Sequence, residues 1–196
     1  MRRILTIITV IIFISFFLLS CGGYKGNSGT FIDKRDNQTY KWVRLGDQIW
    51  MAQNLNFEPE DKADGVSYGG RSSNSDKYGR LYHPGEMSKS DWREGYAPKD
   101  WHIASEKEWS DLLKYLGGEI EGVSKLIEGE FNAKFGGYGR LGTVNYQELD
   151  SAAYFWATSG SDLMKIKLTN DEIEFIPVSS ISNDRHFKYS LRCVAD

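Results

Sequence analysis

Trp101-His102-Ile103-Ala104-Ser105-Glu106-Lys107-Glu108-Trp109-Ser110-Asp111-Leu112-Leu113-Lys114-Tyr115-Leu116-Gly117-Gly118 holds a short strand that turns directly into a helix. Ser105 and Glu108 stand in the S-x-x-E relation of a capping box, in which each side chain satisfies an orphan amide at the helix start. Trp109, Leu112, Leu113 and Leu116 fall at i, i+3, i+4 and i+7, one apolar face of a 3.6-residue period. Gly117-Gly118 supplies a left-handed stop. The stretch predicts one strong helix that buries Trp109 and the leucines against a sheet.

Outward from this element the chain reads as short strands and loops. Upstream, Thr30-Phe31-Ile32-Asp33 is a short strand, and Tyr40 to Leu45 and Gln48 to Met51 form a hairpin around Gly46-Asp47, with Gly where a type II′ turn prefers it. Residues 56–77 dissolve into Asp, Gly, Ser and Asn and are expected to form a long loop. Tyr78 to His83 is a strand closed by Pro84, and residues 85–99 are irregular. Downstream, Val123, Leu126 and Ile127 mark a shorter helix over 123–128. The glycines at 136, 137 and 139 lie among aromatics, and bulges or tight loops explain them better than a phosphate loop, which needs a strand before and a helix after. Strands follow at 153–158, 163–168, 174–178 and 189–194, with a turn at Thr169-Asn170-Asp171-Glu172. The pattern predicts an α+β domain of antiparallel sheet with one strong and one shorter flanking helix and long loops.

The N-terminus has a different character. Met1-Arg2-Arg3, an apolar run from Ile4 to Leu19 and small residues before Cys21 make residues 1–20 a signal peptide, too short for the roughly 20 apolar residues of a membrane span. Leu18-Leu19-Ser20-Cys21 resembles the bacterial lipobox, which makes Cys21 the lipidated residue and the new N-terminus. Residues 21–29 have linker composition and are expected to tether a domain over 30–196 flexibly to a membrane. The expected location is the cell envelope, lipid-anchored at the outer membrane, with the domain periplasmic or surface-exposed. No acidic run follows Cys21, which favours the periplasmic face. Removing two arginines with the signal moves the formal charge from −3 to −5, and the basic residues are dispersed, so nucleic acid is not an expected partner. Cys193 is then the only remaining thiol and reads as a small buried hydrophobe.

Five spaced phrases place the chain in a family. Asp47-Gln48-Ile49-Trp50-Met51-Ala52-Gln53-Asn54-Leu55, Gly79-Arg80-Leu81-Tyr82, Asp100 to Trp109, Phe155-Trp156-Ala157-Thr158 and Ser190-Leu191-Arg192-Cys193-Val194 resemble, in order, the landmarks of the Fibrobacter succinogenes major paralogous domain. The resemblance spans residues 29–196 and implies a relation to the C-type-lectin-like fold of sulfatase-modifying proteins, with twisted antiparallel sheets and terminal strands close together. It also implies a cysteine before the Pro-x-Gly-Trp-His phrase, bridged to the position of Cys193. Here that residue is Ala97, so the implied bridge is absent.

Catalytic signals are sparse. The relatives' oxidation chemistry needs a copper-holding cysteine pair that this chain cannot supply, and His83, His102 and His186 lack ligand-like spacing. Glu58-Pro59-Glu60-Asp61 and Asn183-Asp184 do not match the calcium phrases of lectins. The expectation is a domain with no cofactor and no metal that binds rather than catalyses. Mature residues include 24 aromatics, and Tyr68, Tyr78, Tyr82, Trp92 and Tyr96 lie in or beside the loop-rich middle. Tyr with Gly, Ser and Asn is the composition of adaptable recognition loops, so these five residues are the candidate contacts for a glycan or an envelope protein. The alternatives are an enzyme acting on envelope polysaccharide through unrecognised carboxylates, and a purely structural lipoprotein.

Overall fold

The structure is a computed structural model that describes residues 24–60, 65–84, 95–160, 162–179 and 183–196. Residues 1–20, Cys21 and Trp92 lie outside the described residues. The architecture is mixed, with three helices and several antiparallel sheets among the described residues. One sheet has β1 (Ser28–Ile32), β2 (Thr39–Leu45), β3 (Gln48–Met51), β13 (Cys193–Ala195) and β6 (Trp101–Ile103) in that order. A second has β11 (Ile173–Val178), β10 (Asp162–Leu168), β9 (Ala153–Ser159), β7 (Gly136–Arg140) and β12 (Phe187–Lys188), with β8 (Tyr146–Leu149) paired to β7. β4 (Gly65–Val66) and β5 (Leu81–Tyr82) form a small ribbon. Among the described residues no helix is long and apolar enough to cross a membrane.

The helices are α1 (Ser72–Tyr78), α2 (Glu106–Tyr115) and α3 (Gly118–Glu128). α2 carries the expected capping box: Ser105 Oγ accepts from the Glu108 amide at 3.3 Å, and Glu108 Oε2 accepts from the Ser105 amide at 2.7 Å. Gly117, at φ 106, takes the left-handed turn between α2 and α3. Trp109, Leu112, Leu113 and Leu116 are all buried. Trp109 meets Trp50, Phe131 and Phe155 with ring centres 5.2, 5.3 and 5.1 Å away. Each such side chain contributes about 1.5–3 kcal/mol on leaving water, so this one face accounts for much of the helix's stability.

Arg192 lies between the sheets with no exposed surface. Its guanidinium donates to Asn54 Oδ1 (2.7 Å) and to the carbonyls of Met51 (2.8 Å), Phe131 (2.7 Å) and Asn132 (3.0 Å), and sits 4.2 Å from the centre of the Phe131 ring. Asn54 in turn donates to the Tyr78 carbonyl at 2.7 Å. Cys193 is free and buried, and burial pushes its thiol up to about 12, which leaves it an unreactive hydrophobe. Ala97 belongs to the same apolar cluster as Cys193, so packing occupies the region where the resemblance implies a bridge.

Several expectations need correction. Residues 72–78 form α1 instead of loop, and Tyr78 ends that helix instead of opening a strand. α1 has no apolar period to betray it, because it buries only Ser75 and Tyr78. α3 begins at Gly118, before the apolar period that starts at Val123, since its opening turn faces solvent with Ile120 92% exposed. The glycine-rich segment near 136 is a strand, paired with an unanticipated partner in β8. Gly137 there has φ 59, and a Cβ would fall 2.1 Å from the Gln147 carbonyl oxygen, so the close approach of β8 requires glycine. The segment expected to be a loose tether is packed from Tyr24 onward, with Ser28 and Gly29 inside β1.

Candidate functional site

The five tyrosine and tryptophan candidates do not converge. Tyr68 is half-buried and pairs with Tyr146, ring centres 5.0 Å apart. Tyr78 is buried and donates to Asp150 Oδ1 at 2.5 Å. Tyr82 is completely buried; its hydroxyl donates to the Phe57 carbonyl at 2.8 Å, and its ring lies 5.1 Å from that of Tyr96, itself buried. The faces of Tyr78, Tyr82 and Tyr96 are therefore committed to packing rather than offered to a ligand. Trp92 lies outside the described residues.

The aromatic surface that the fold does assemble lies on the second sheet. β9 alternates so that Ala153, Phe155 and Ala157 face the helices while Tyr154 and Trp156 face the other way. Tyr138 from β7, Phe187 from β12 and Tyr189 just beyond it join them. Tyr138 meets Tyr154 edge-on at 5.0 Å and Phe187 at 5.4 Å, while Tyr189 stacks on Tyr154 at 5.4 Å and touches Trp156 at 4.6 Å. Tyr154, Trp156 and Tyr189 are buried; Tyr138 and Phe187 are half-buried and present the outer ring surface.

Polar groups rim these rings. Tyr138 donates to Gln147 Oε1 (2.8 Å), Tyr154 to Glu148 Oε2 (2.7 Å) and Tyr189 to Asp184 Oδ1 (2.9 Å). On β10, cross-strand to Trp156 and Tyr154, Lys165 binds Asp184 at 3.0 Å and Lys167 binds Glu174 at 2.9 Å. Burial first, and then the facing carboxylates, push the Tyr138, Tyr154 and Tyr189 phenols upward, so all three remain neutral hydroxyls at physiological pH. Half-buried rings bordered by carboxylates, ammonium groups and an amide suit a ligand with an apolar C–H face and peripheral hydroxyls. Sequence reasoning missed this surface, although Tyr154 and Trp156, and Phe187 and Tyr189, stand at i and i+2, the strand period that aligns rings on one face.

A second polar assembly lies at the start of α2. His102 is buried, with Nε2 2.6 Å from Glu108 Oε1 and Nδ1 2.6 Å from Asp196 Oδ1. With both carboxylates ionised, only the doubly protonated ring satisfies this geometry, and both nitrogens are occupied. Burial pushes the Glu108 carboxyl up, but the bonds from His102 and from the Ser105 amide and hydroxyl outweigh it and hold the group at about 2. Glu108 and Asp196 border a cleft of about 500 Å³ with Tyr24, Arg44, Asp47 and Asp100. A ring clamped at both nitrogens locks α2 to the chain's last residue and leaves no lone pair for a substrate. Among the described residues, no three or more His, Cys, Asp or Glu side chains are grouped to hold a metal. Glu58 is bound by Arg80 at 2.9 Å, and Asp184 by Lys165.

Compared with known proteins, the sequence matches the Fibrobacter succinogenes major domain over residues 43–195, from within β2 to the C-terminal strand. Among curated proteins and among solved structures, nothing matches the chain.

Proposed function

Because this chain belongs to the Fibrobacter succinogenes major domain family, whose name states no activity, we propose a function from its own surface: a non-catalytic glycan-binding module, lipid-anchored in the cell envelope. The Tyr138–Phe187 surface supports it, since half-buried rings ringed by paired charges match the two chemistries of a sugar, C–H faces and hydroxyls. The C-type-lectin-like relation, the signal peptide over residues 1–20 and acylation of Cys21 belong to the same proposal and rest on the sequence phrases.

The test is a binding titration of the purified mature chain against envelope polysaccharides and their oligosaccharides. Tyr138→Ala combined with Phe187→Ala should weaken binding at least about tenfold, as the loss of two contact rings predicts. Val144→Ala, at the exposed β7–β8 tip, should leave it unchanged. Binding that survives the double substitution removes this surface from the proposal. Cleavage of the ligand during the titration would make the domain an enzyme, and an absence of ligands across the panel would leave the structural lipoprotein.

A further inference from the structure

We infer that the domain lies directly against the membrane that holds its lipid, through a face made by Tyr24, Phe31, Ile32 and the lysines beside them. This rests on the proposal that Cys21 is acylated. Two glycines, Gly22 and Gly23, separate Cys21 from Tyr24, and three Cα steps span at most about 11 Å. Tyr24 is not free to swing. Its ring meets Trp42 and Trp101 edge-on at 5.2 and 5.4 Å, and its carbonyl accepts from Arg44 Nη2 at 3.0 Å. The Arg44 amide also donates to the Asn27 carbonyl at 2.7 Å, which holds the following residues along β2. The anchor is therefore fixed to a known spot on a folded surface, within about a headgroup layer of it.

That spot has the character of a membrane interface. Ile32 is 60% exposed, the largest exposure of any apolar side chain on β1. Phe31 stacks on Trp101 at 4.5 Å and remains half-buried, as does Tyr24. A shallow cleft of about 260 Å³ runs between them, lined also by Lys34, Pro98, Lys99 and Asp100. Asp33, which also lines the cleft, is buried and neutralised by Arg35 at 2.7 Å, and exposed Lys25, Lys34 and Lys99 outnumber the remaining nearby acids, Asp100 and Asp196, in a domain whose overall charge is negative. Aromatic rings, an exposed isoleucine and lysines that extend their heads toward phosphate are what an interfacial surface uses. The acyl chains provide the affinity, and the face fixes orientation, because tethering makes even a weak surface contact effectively intramolecular.

The experiment uses the full lipidated protein in vesicles of phosphatidylethanolamine and phosphatidylglycerol at one protein per vesicle. An environment-sensitive fluorophore is placed at Ile32→Cys or, as a reference, at Val144→Cys, which is 90% exposed in the native residue. The probe at position 32 should shift to the blue, lose most of its quenching by aqueous iodide and be quenched by doxyl-labelled lipid, while the probe at 144 does none of these. Equal iodide quenching at both positions on acylated protein overturns the inference and leaves the lipoprotein proposal standing. Protection at position 32 that appears only at high protein density assigns the face to a second copy and also overturns it. Mass spectrometry of the Cys21 peptide reports acylation separately; an unmodified cysteine removes both.

Discussion

Arg192 shows how one residue can fix the relation between distant parts of the chain. Among the described residues it has no carboxylate partner; its charge is distributed over three carbonyls, the Asn54 amide oxygen and the Phe131 ring. Burial holds the guanidinium down to about 9, yet four bonds from its fixed planar donors still match acceptors drawn from β3, the loop after it and the segment after α3. Arg192→Met fills a similar volume but leaves the Met51, Phe131 and Asn132 carbonyls without these donors. Unpaired buried acceptors cost about 1–3 kcal/mol each, so the variant should lose about 3 kcal/mol or more in urea unfolding. Arg192→Lys should recover only part of that, since an ammonium cannot reach four acceptors in one plane. A Met variant as stable as the parent would show that these bonds add nothing net.

At the scale of elements, α2 is tied down by chemistry that is partly local and partly not. Glu108 holds the Ser105 amide, which the S-x-x-E spacing announces, and also His102, which it does not. The carboxyl lies at about 2 in the fold against an ordinary 4.5, so the folded state favours the ionised form. That stabilisation is complete above about pH 4.5 and disappears as pH falls toward 2. Glu108→Gln should therefore cost about 1–2 kcal/mol at pH 7, a figure reduced for the group's partial exposure, and the gap to the parent should close in denaturation curves recorded near pH 2. The same distinction explains what the sequence could reveal. Capping, the Trp109 face and the Gly46 turn depend on neighbours a few residues apart, and all were legible. α1 was not, because its fastening is remote: Tyr78 reaches Asp150, and Gly79, at φ 75, must be glycine since a Cβ would fall 2.6 Å from that of Asn54. The ring surface was half legible. The i, i+2 spacing of Tyr154 and Trp156 lies in the sequence, but Lys165, which binds Asp184 at the polar rim, comes beside Trp156 only through sheet pairing.

Across the whole molecule, the two ends of the described chain meet: Tyr24 and Asp196 border one cleft, and the last strand is interior to its sheet. β13 pairs with β3 on one side and β6 on the other, with Val194 opposite both Trp50 and His102. Truncation after Arg192 should thus abolish cooperative thermal unfolding, because it splits the sheet in two and removes Asp196 from His102. Removing an equal length from an edge strand such as β1 should only lower the melting temperature. A surviving sharp transition in the Arg192-truncated chain would mean that β3 and β6 hold together without their central strand. The position of β13 also sets a clock. A chain threaded N-terminus first, whether from a ribosome or through a translocation pore, cannot close this sheet until residues 193–195 arrive, after every other described strand, so β3 and β6 wait with open edges until then.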